Sequence, residues 1–386
     1  MIFAWALCLF SILVHSATAH TVDIFPRALT LADTPPCGLS CFISVIPESG
    51  CALDDLNCQC QNVGLAQANA ACLLENCTMA DALGTSKVQA SLCGLPNESK
   101  SNKVLQATIV VYEAAFLAVC LRIYRKYIDK RLGVDDYTII AAILLTTLPC
   151  GLVIAMTQMG FGKHIWSLQN GQLKDNLLLF FIASTTYVIV LGMIKVSIVM
   201  FYLQIFPWRN FRILSYTLIA YIVSSNLAIF LATVFSCWPV RRFWDRDVKG
   251  TCLDISALAF ANSGNAIAQD FLLIILPIIF VGKLNVSNRR KVVIGIMFAV
   301  GTLGFVATIV RLKFLLDFKV SIDPTWDYVE VTIWTTIELA SGFVSVCLPA
   351  IRQLIVMAIP NRCFQYFDSV RERLVREKDD EENLVS

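Results

Sequence analysis

From Val104 onward the chain is built of long apolar runs separated by short polar stretches. Seven runs stand out, at about 104–123, 137–158, 177–205, 212–236, 256–281, 292–316 and 329–350. Each is long enough to cross a hydrocarbon core of about 30 Å. Backbone N–H and C=O groups in lipid must pair within the protein, and the alternation of barrel strands is absent, so the runs predict helices. A shorter apolar run, Ile2 to Val14, is followed by the small-x-small triplet Ala17-Thr18-Ala19. It reads as a secretory signal over residues 1–19, cleaved after Ala19, although its n-region has no Lys or Arg; the alternative is one more membrane helix. Residues 20–100 are polar to mixed, 101–350 hold the apolar runs, and 351–386 form a charged tail. The predicted fold is all-α: a small head, then a seven-helix transmembrane bundle.

Composition sharpens this division. Of the 386 residues, 57% are hydrophobic and 16% charged, against about 45–50% and about 25% in soluble domains. Disorder is excluded, and the excess of apolar residues argues against a single soluble core. The net charge of +2 gives no bulk attraction to nucleic acid, so the partner expected from the apolar runs is the lipid bilayer. Loop cations set orientation. One set of loops, with the tail, holds seventeen Lys and Arg, including Arg122, Arg125, Lys126, Lys283, Arg289 and Arg352; the opposite loops hold seven. The richer side is expected to be cytoplasmic. The secretory signal independently places the head outside, so a multi-pass plasma-membrane protein with an extracellular head and a cytoplasmic tail is expected. The charged end, Arg371 to Glu382, excludes a GPI signal, which needs an apolar C-terminus.

Eight of the fifteen cysteines fall between Cys37 and Cys93. An even number in a short secreted segment implies four bridges, and spacing alone leaves about a hundred pairings open. Extracellular thiols oxidise and no histidine lies among these cysteines, which argues against a zinc cluster. Two glycosylation sequons, at Asn76 and Asn97, lie here; Asn97 is in a polar linker, whereas Asn76 abuts Cys77. Pro36-Cys37-Gly38-Leu39-Ser40-Cys41, followed by Cys51-Ala52-Leu53-Asp54-Asp55-Leu56-Asn57-Cys58-Gln59-Cys60, resembles a CFEM domain, the eight-cysteine extracellular module of fungi. The resemblance implies the pairs Cys37–Cys77, Cys41–Cys72, Cys51–Cys58 and Cys60–Cys93. It also implies that Asp55 is an axial ligand to haem iron, a hard donor suited to ferric iron. The alternative for Asp55 is a turn or helix-cap residue, and Asp54 beside it could serve either role.

The apolar body resembles the fungal seven-helix family often labelled rhodopsin-like, and is close to the CFEM-bearing, pathogenicity-associated receptors of filamentous fungi. The matching features are Asp135-Asp136-Tyr137, Gly160-Phe161-Gly162-Lys163-His164, Lys195, Phe201-Tyr202, Cys237-Trp238-Pro239 through Cys252, Asn265, Asp270, Pro277, Arg311, Trp334, Glu338 and Pro349. The last run, Val329 to Pro349, has no lysine for a retinal Schiff base. The third run ends Phe201-Tyr202-Leu203-Gln204 rather than in the Asp/Glu-Arg-Tyr of animal receptors, so coupling to a heterotrimeric G protein rests on architecture and resemblance.

Cys237 and Cys252 bracket one outer loop and are expected to form a disulfide. Ionisable residues inside apolar runs are costly and tend to face a bundle interior. Glu113, Lys195, Asp270, Arg311 and Glu338 qualify. By depth, Lys195 matches Asp270 and Arg311 matches Glu338, which predicts two interhelical ion pairs; the alternative is that each lines a ligand cavity or proton path. Asn265, Gln269 and Asp270 form a stripe expected to face inward. Cys120, Cys150 and Cys347 read as apolar filler and Cys363 as a palmitoylation candidate. His164 is alone in an outer loop and reads as solvated. No catalytic motif is present. The chain therefore reads as a receptor of an extracellular surface or chemical cue and not as an enzyme. A membrane-anchored haem or iron-acquisition protein is the alternative, and a transporter the third.

Overall fold

The computed structural model describes residues 29–358, apart from 53, 131, 207, 282–287 and 319–321. The signal segment, Lys283 and the tail with Cys363 lie outside the described residues.

The head is four helices: α1 (Pro36–Ser49), α2 (Leu56–Gln61), α3 (Val63–Asn76) and α4 (Met79–Cys93). Polar side chains start three of them. Asp55 Oδ1 accepts from Cys58 N at 2.9 Å, Asn62 Oδ1 from Leu65 N at 3.1 Å, and Thr78 Oγ1 from Asp81 N at 3.2 Å. Gly50 and Gly94 end α1 and α4 in the left-handed conformation. The helices bury few large side chains, chiefly Ile46, Leu65, Leu73, Leu83 and Val88. Such a small core depends on covalent staples. Cys37–Cys77, Cys41–Cys72, Cys51–Cys58 and Cys60–Cys93 supply them, with Cα–Cα distances of 5.5–5.8 Å.

Seven helices form the body: α5 (Ser101–Ile128), α6 (Val134–Gln158), α7 (Gln172–Ile205), α8 (Arg209–Val234), α9 (Ile255–Val281), α10 (Asn288–Phe318) and α11 (Pro324–Ala358). All seven are long and apolar enough to span a membrane. They pack in sequence order into a ring that α11 closes against α5, while α7 also touches α9 and α11 and so occupies the middle. Val190, Ile194, Ile139, Ala142 and Phe343 form the dry centre. Between α8 and α9, β1 (Cys237–Trp238) pairs antiparallel with β2 (Thr251–Cys252), and a disulfide joins Cys237 to Cys252.

The loop after α6 ties the head-side ends together. Gly162 O accepts from Lys100 N at 2.7 Å, and Gly162 N donates to Thr325 O at 3.1 Å. Its φ is +88°, and a Cβ there would stand 2.8 Å from Ser101 N, so only glycine lets the loop thread between the starts of α5 and α11. The head touches a second loop as well. Met79 N, at the start of α4, donates to Asp247 Oδ1 at 2.9 Å, a carboxylate placed at a helix N-terminus.

Candidate functional site

A cavity of about 190 Å³ opens in the head-side half of the bundle, lined by α5, α6, α7, α9, α10 and α11, by Thr233 at the end of α8 and by Phe243 from the β1–β2 loop. Its wall is mainly apolar, with Arg311, Tyr112, Tyr187 and Tyr328 the largest polar groups. A second, smaller pocket of about 60 Å³ lies further from the head, at Lys195, Asp270, Tyr202 and Glu338.

One buried polar chain runs between the two. Lys195 Nζ lies 2.7 Å from Asp270 Oδ1 and donates to Ala266 O at 3.1 Å. The Thr308 hydroxyl sits 3.0 Å from Asp270 Oδ2 and 3.1 Å from Glu338 Oε1. Tyr187 OH donates to Glu338 Oε2 at 2.9 Å and accepts from Arg311 Nη1 at 2.8 Å. Arg311 Nε stands 3.4 Å from Glu338 Oε2. The four charged residues singled out in the sequence thus meet as two pairs. Thr308 on α10 stands between the pairs: its one hydroxyl proton has Asp270, Glu338 and its own helix's Gly304 O, at 3.0 Å, in reach and goes to one of them at a time, which places the four charged residues in one cluster across α7, α9, α10 and α11. No sequence signal marked Thr308, because a threonine inside a helix commonly bonds its own turn.

Glu113 is exposed on α5 rather than turned inward. Its neighbours Tyr112 and Ala115 take the cavity side, and residue 113 falls about 100° round the helix from Tyr112. The expected inward stripe on α9 also divides. Gln269 Nε2 donates to Ser225 Oγ at 2.9 Å and Asn265 Oδ1 accepts from Tyr221 OH at 3.0 Å, so both turn to α8, and Asp270 alone joins the charged chain.

A second charged cluster closes the end of the bundle opposite the head. Arg122, counted above among loop cations, is 1% exposed. Its Nη2 reaches Asp135 Oδ2 at 2.5 Å, its Nε donates to Asp136 Oδ1 at 2.8 Å, and its Nη1 donates to Val346 O at 2.5 Å. Gln204 Nε2 donates to Asp135 Oδ1 at 2.8 Å and Lys126 Nζ lies 3.2 Å from Asp136 Oδ2. The cluster links α5, α6, α7 and α11 at one point, and three directions of the guanidinium are satisfied.

On the head side, His164 is not solvated. It is 7% exposed, stacked between Trp166 at 4.5 Å and Trp326 at 4.0 Å. Its Nδ1 lies 2.6 Å from Asp323 Oδ2, and Asp323 Oδ1 accepts from Ile165 N at 3.0 Å. Burial holds the Asp323 carboxyl above the usual carboxylate range, against the lowering effect of His164. Nearby, the Lys174 ammonium beside Asp245 holds that carboxyl below it.

In the head, Asp55 is exposed and acts as the cap of α2 through Oδ1. Its second oxygen has no hydrogen bond among the described residues, and Leu56 beside it is 45% exposed. That is compatible with a hard oxygen donor to ferric haem iron. Both sequon asparagines are exposed. Asn76 uses its side-chain nitrogen to donate to Cys72 O at 3.1 Å, whereas Asn97 uses its oxygen, accepting from Ser167 Oγ at 2.5 Å. Cys120, Cys150 and Cys347 are free thiols, the last two buried.

Comparison with known proteins agrees with this architecture. The CFEM domain family matches residues 30–94 and the fungal rhodopsin domain family matches residues 121–357. The chain is 28% identical over 269 residues to the polyenoic acids biosynthesis gene cluster protein Ba17b of Metarhizium anisopliae, covering 65% of this chain and 73% of that protein. It is 30% identical over 204 residues to a SAT4 family membrane protein of Emericella nidulans, covering 52% and 51%. To the receptor GIN3 of Arthrobotrys oligospora it is 23% identical over 190 residues, covering 49% and 46%. The chain thus spans about half the length of the last two. No solved structure matches it. With a CFEM domain preceding seven membrane-type helices, and a family match over most of those helices, the chain belongs to the fungal rhodopsin domain family.

Proposed function

We propose that this chain is a plasma-membrane receptor, with the head outside and the tail in the cytoplasm, whose head-side cavity takes an extracellular ligand. The observation that carries the reading is the buried chain from Arg311 at the cavity wall through Glu338, Thr308 and Asp270 to Lys195. A ligand that moves Arg311 changes the balance of a polar network spanning four helices. The Arg122 cluster then fixes where α5, α6, α7 and α11 meet at the cytoplasmic end, the face a heterotrimeric G protein would read. The polar groups pair with one another across helices, which suits a relay and not an enzyme. The name of the GIN3 relative supports the same reading.

The test is deletion of residues 283–291, the cationic stretch assigned to the cytoplasmic side. Cells carrying the intact chain should change their cyclic-nucleotide level on transfer from liquid to a solid surface. Cells with the deletion should not, while still displaying the protein. An equal response from both overturns the receptor reading.

Haem capture by the head is the second reading, favoured by the free carboxylate oxygen of Asp55. Asp55 is the residue that would hold ferric haem there, and the haem would supply an iron cargo or a redox-sensitive group.

A further inference from the structure

Three residues that line the head-side cavity each carry a buried polar atom without a hydrogen-bond partner among the described residues: Arg311 at Nη2, Thr108 at Oγ1 and Ser236 at Oγ. Their residues are 5%, 2% and 1% exposed, so bulk solvent does not satisfy them. They come from α10, from α5 and from the stretch just after α8, and thus approach the cavity from different sides. Buried polar groups are normally paired, and each orphan calls for an explanation. Here all three belong to residues that border one space, otherwise walled by groups such as Val153, Phe180 and Leu339, so a small rotation of each side chain brings its polar atom to that space.

Charge balance restricts what fills that space. Arg311 faces Glu338 and Lys195 faces Asp270, and Thr308 stands between the two pairs, so cations and carboxylates are matched. Arg311 is the only Lys or Arg on the cavity wall among the described residues. A ligand carboxylate would bring in an anion with no cation left to pair with it, at a heavy desolvation cost. A neutral oxygen accepts from Arg311 Nη2 without adding charge. Size adds a further limit. The cavity of about 190 Å³ exceeds somewhat the ~150 Å³ apolar cavity that holds benzene, which scales to roughly eight heavy atoms.

We propose that this cavity binds a small, uncharged, mainly apolar molecule whose oxygen accepts from Arg311 Nη2, with its polar end also in reach of Thr108 or Ser236. The proposal rests on the receptor reading above and adds the class of ligand.

The test uses the full chain in lipid nanodiscs and three isotopically labelled probes of equal length: octanol, octanoate and octane. Retention is measured against empty discs at neutral pH. Octanol should show saturable retention, with octanoate and octane weaker by about tenfold, the worth of one well-made hydrogen bond. Thr108→Val should weaken octanol several-fold. Ala259→Phe, which fills the cavity from α9, should abolish saturable retention with the melting temperature preserved. Arg311→Gln should weaken octanol too, and because it uncovers Glu338 its folding is checked against the Thr108→Val protein. Octane held as well as octanol, octanoate held better, or no saturable retention of any probe (a cavity filled by water) would each overturn the proposal. The cyclic-nucleotide assay uses none of these probes. An equal response with and without residues 283–291, with octanol binding intact, would sink the receptor reading and leave the ligand class standing.

Discussion

Lys195 Nζ and Asp270 Oδ1 meet at 2.7 Å, with the lysine side chain 3% and the aspartate side chain 14% exposed. Removing one member of a buried pair strands the other, at roughly 3–5 kcal/mol in a soluble interior, softened in a bundle by water and snorkelling. Lys195→Met and Asp270→Leu should each lower the folded yield in detergent, and the double variant should recover part of the loss. Thr308→Val should leave both pairs in place and uncouple them, so that the effects of Lys195→Met and Arg311→Met become additive. Double-mutant cycles on melting temperature measure this.

Arg122→Met should be more damaging than any single change in the cavity network. It leaves Asp135 and Asp136 with Lys126 as the one cation beside them among the described residues, together with Gln204 and the Gly133 N–H. Arg122→Lys should rescue little, because one ammonium cannot replace three diverging contacts. Size-exclusion profiles of the two variants decide the point; a monodisperse Arg122→Lys protein of full stability would refute it.

Asp323 gives a pH prediction. Its folded pKa is raised by burial, so the folded form holds the proton more tightly than the unfolded chain. Its contribution to stability is greatest below the unfolded carboxylate value of about 3.9. It falls as pH rises through the raised folded value and is constant above it. Asp323→Asn should remove this slope. The gap in melting temperature between wild type and variant should therefore favour wild type most at the acid end and narrow as pH rises.

Cys60→Ser breaks the bridge that ties α2 to the end of α4. Loss of a native bridge in so small a domain costs about 2–5 kcal/mol. The variant should be retained in the secretory pathway, and surface staining at the wild-type level would speak against the staples as the basis of the head's stability.

For haem, titration of the full chain in nanodiscs with ferric haem should give a Soret shift that Asp55→Ala abolishes and dithionite weakens. Asp55→Ala also removes the cap of α2, at about 0.5–2 kcal/mol. Asp55→Asn, which keeps an oxygen to cap the helix, separates the two roles: it should fold normally and still lose the shift.

Much of this arrangement is legible in the sequence, for identifiable reasons. A charge within an apolar run is expensive enough to announce a partner, and matched depth on the helices pointed Lys195 to Asp270 and Arg311 to Glu338. Cysteine spacing announced a stapled head, but the pairing was available only through family resemblance. What escaped depends on direction or on distance along the chain. The spacing of Asn265 and Gln269 is that of one helix face, yet periodicity does not say which neighbour that face meets. Arg122 sits at the end of its run, where cations ordinarily reach out to the interface. His164 finds Asp323 159 residues away, across loops in which no pattern of hydrophobic positions operates.

The hydrogen bond from Met79 to Asp247 and the bonds around Gly162 also determine what the head can do mechanically. A domain held by one linker swivels freely and passes no torque. This one is mounted at two places: the start of α4 on the β1–β2 loop, and the linker at Lys100 on the loop after α6. The second mount is shared with the first turns of α5 and α11. A tilt of the head therefore acts as a lever on two neighbouring helices of the ring, and contact made far above the membrane can arrive in the bundle as a twist between α5 and α11.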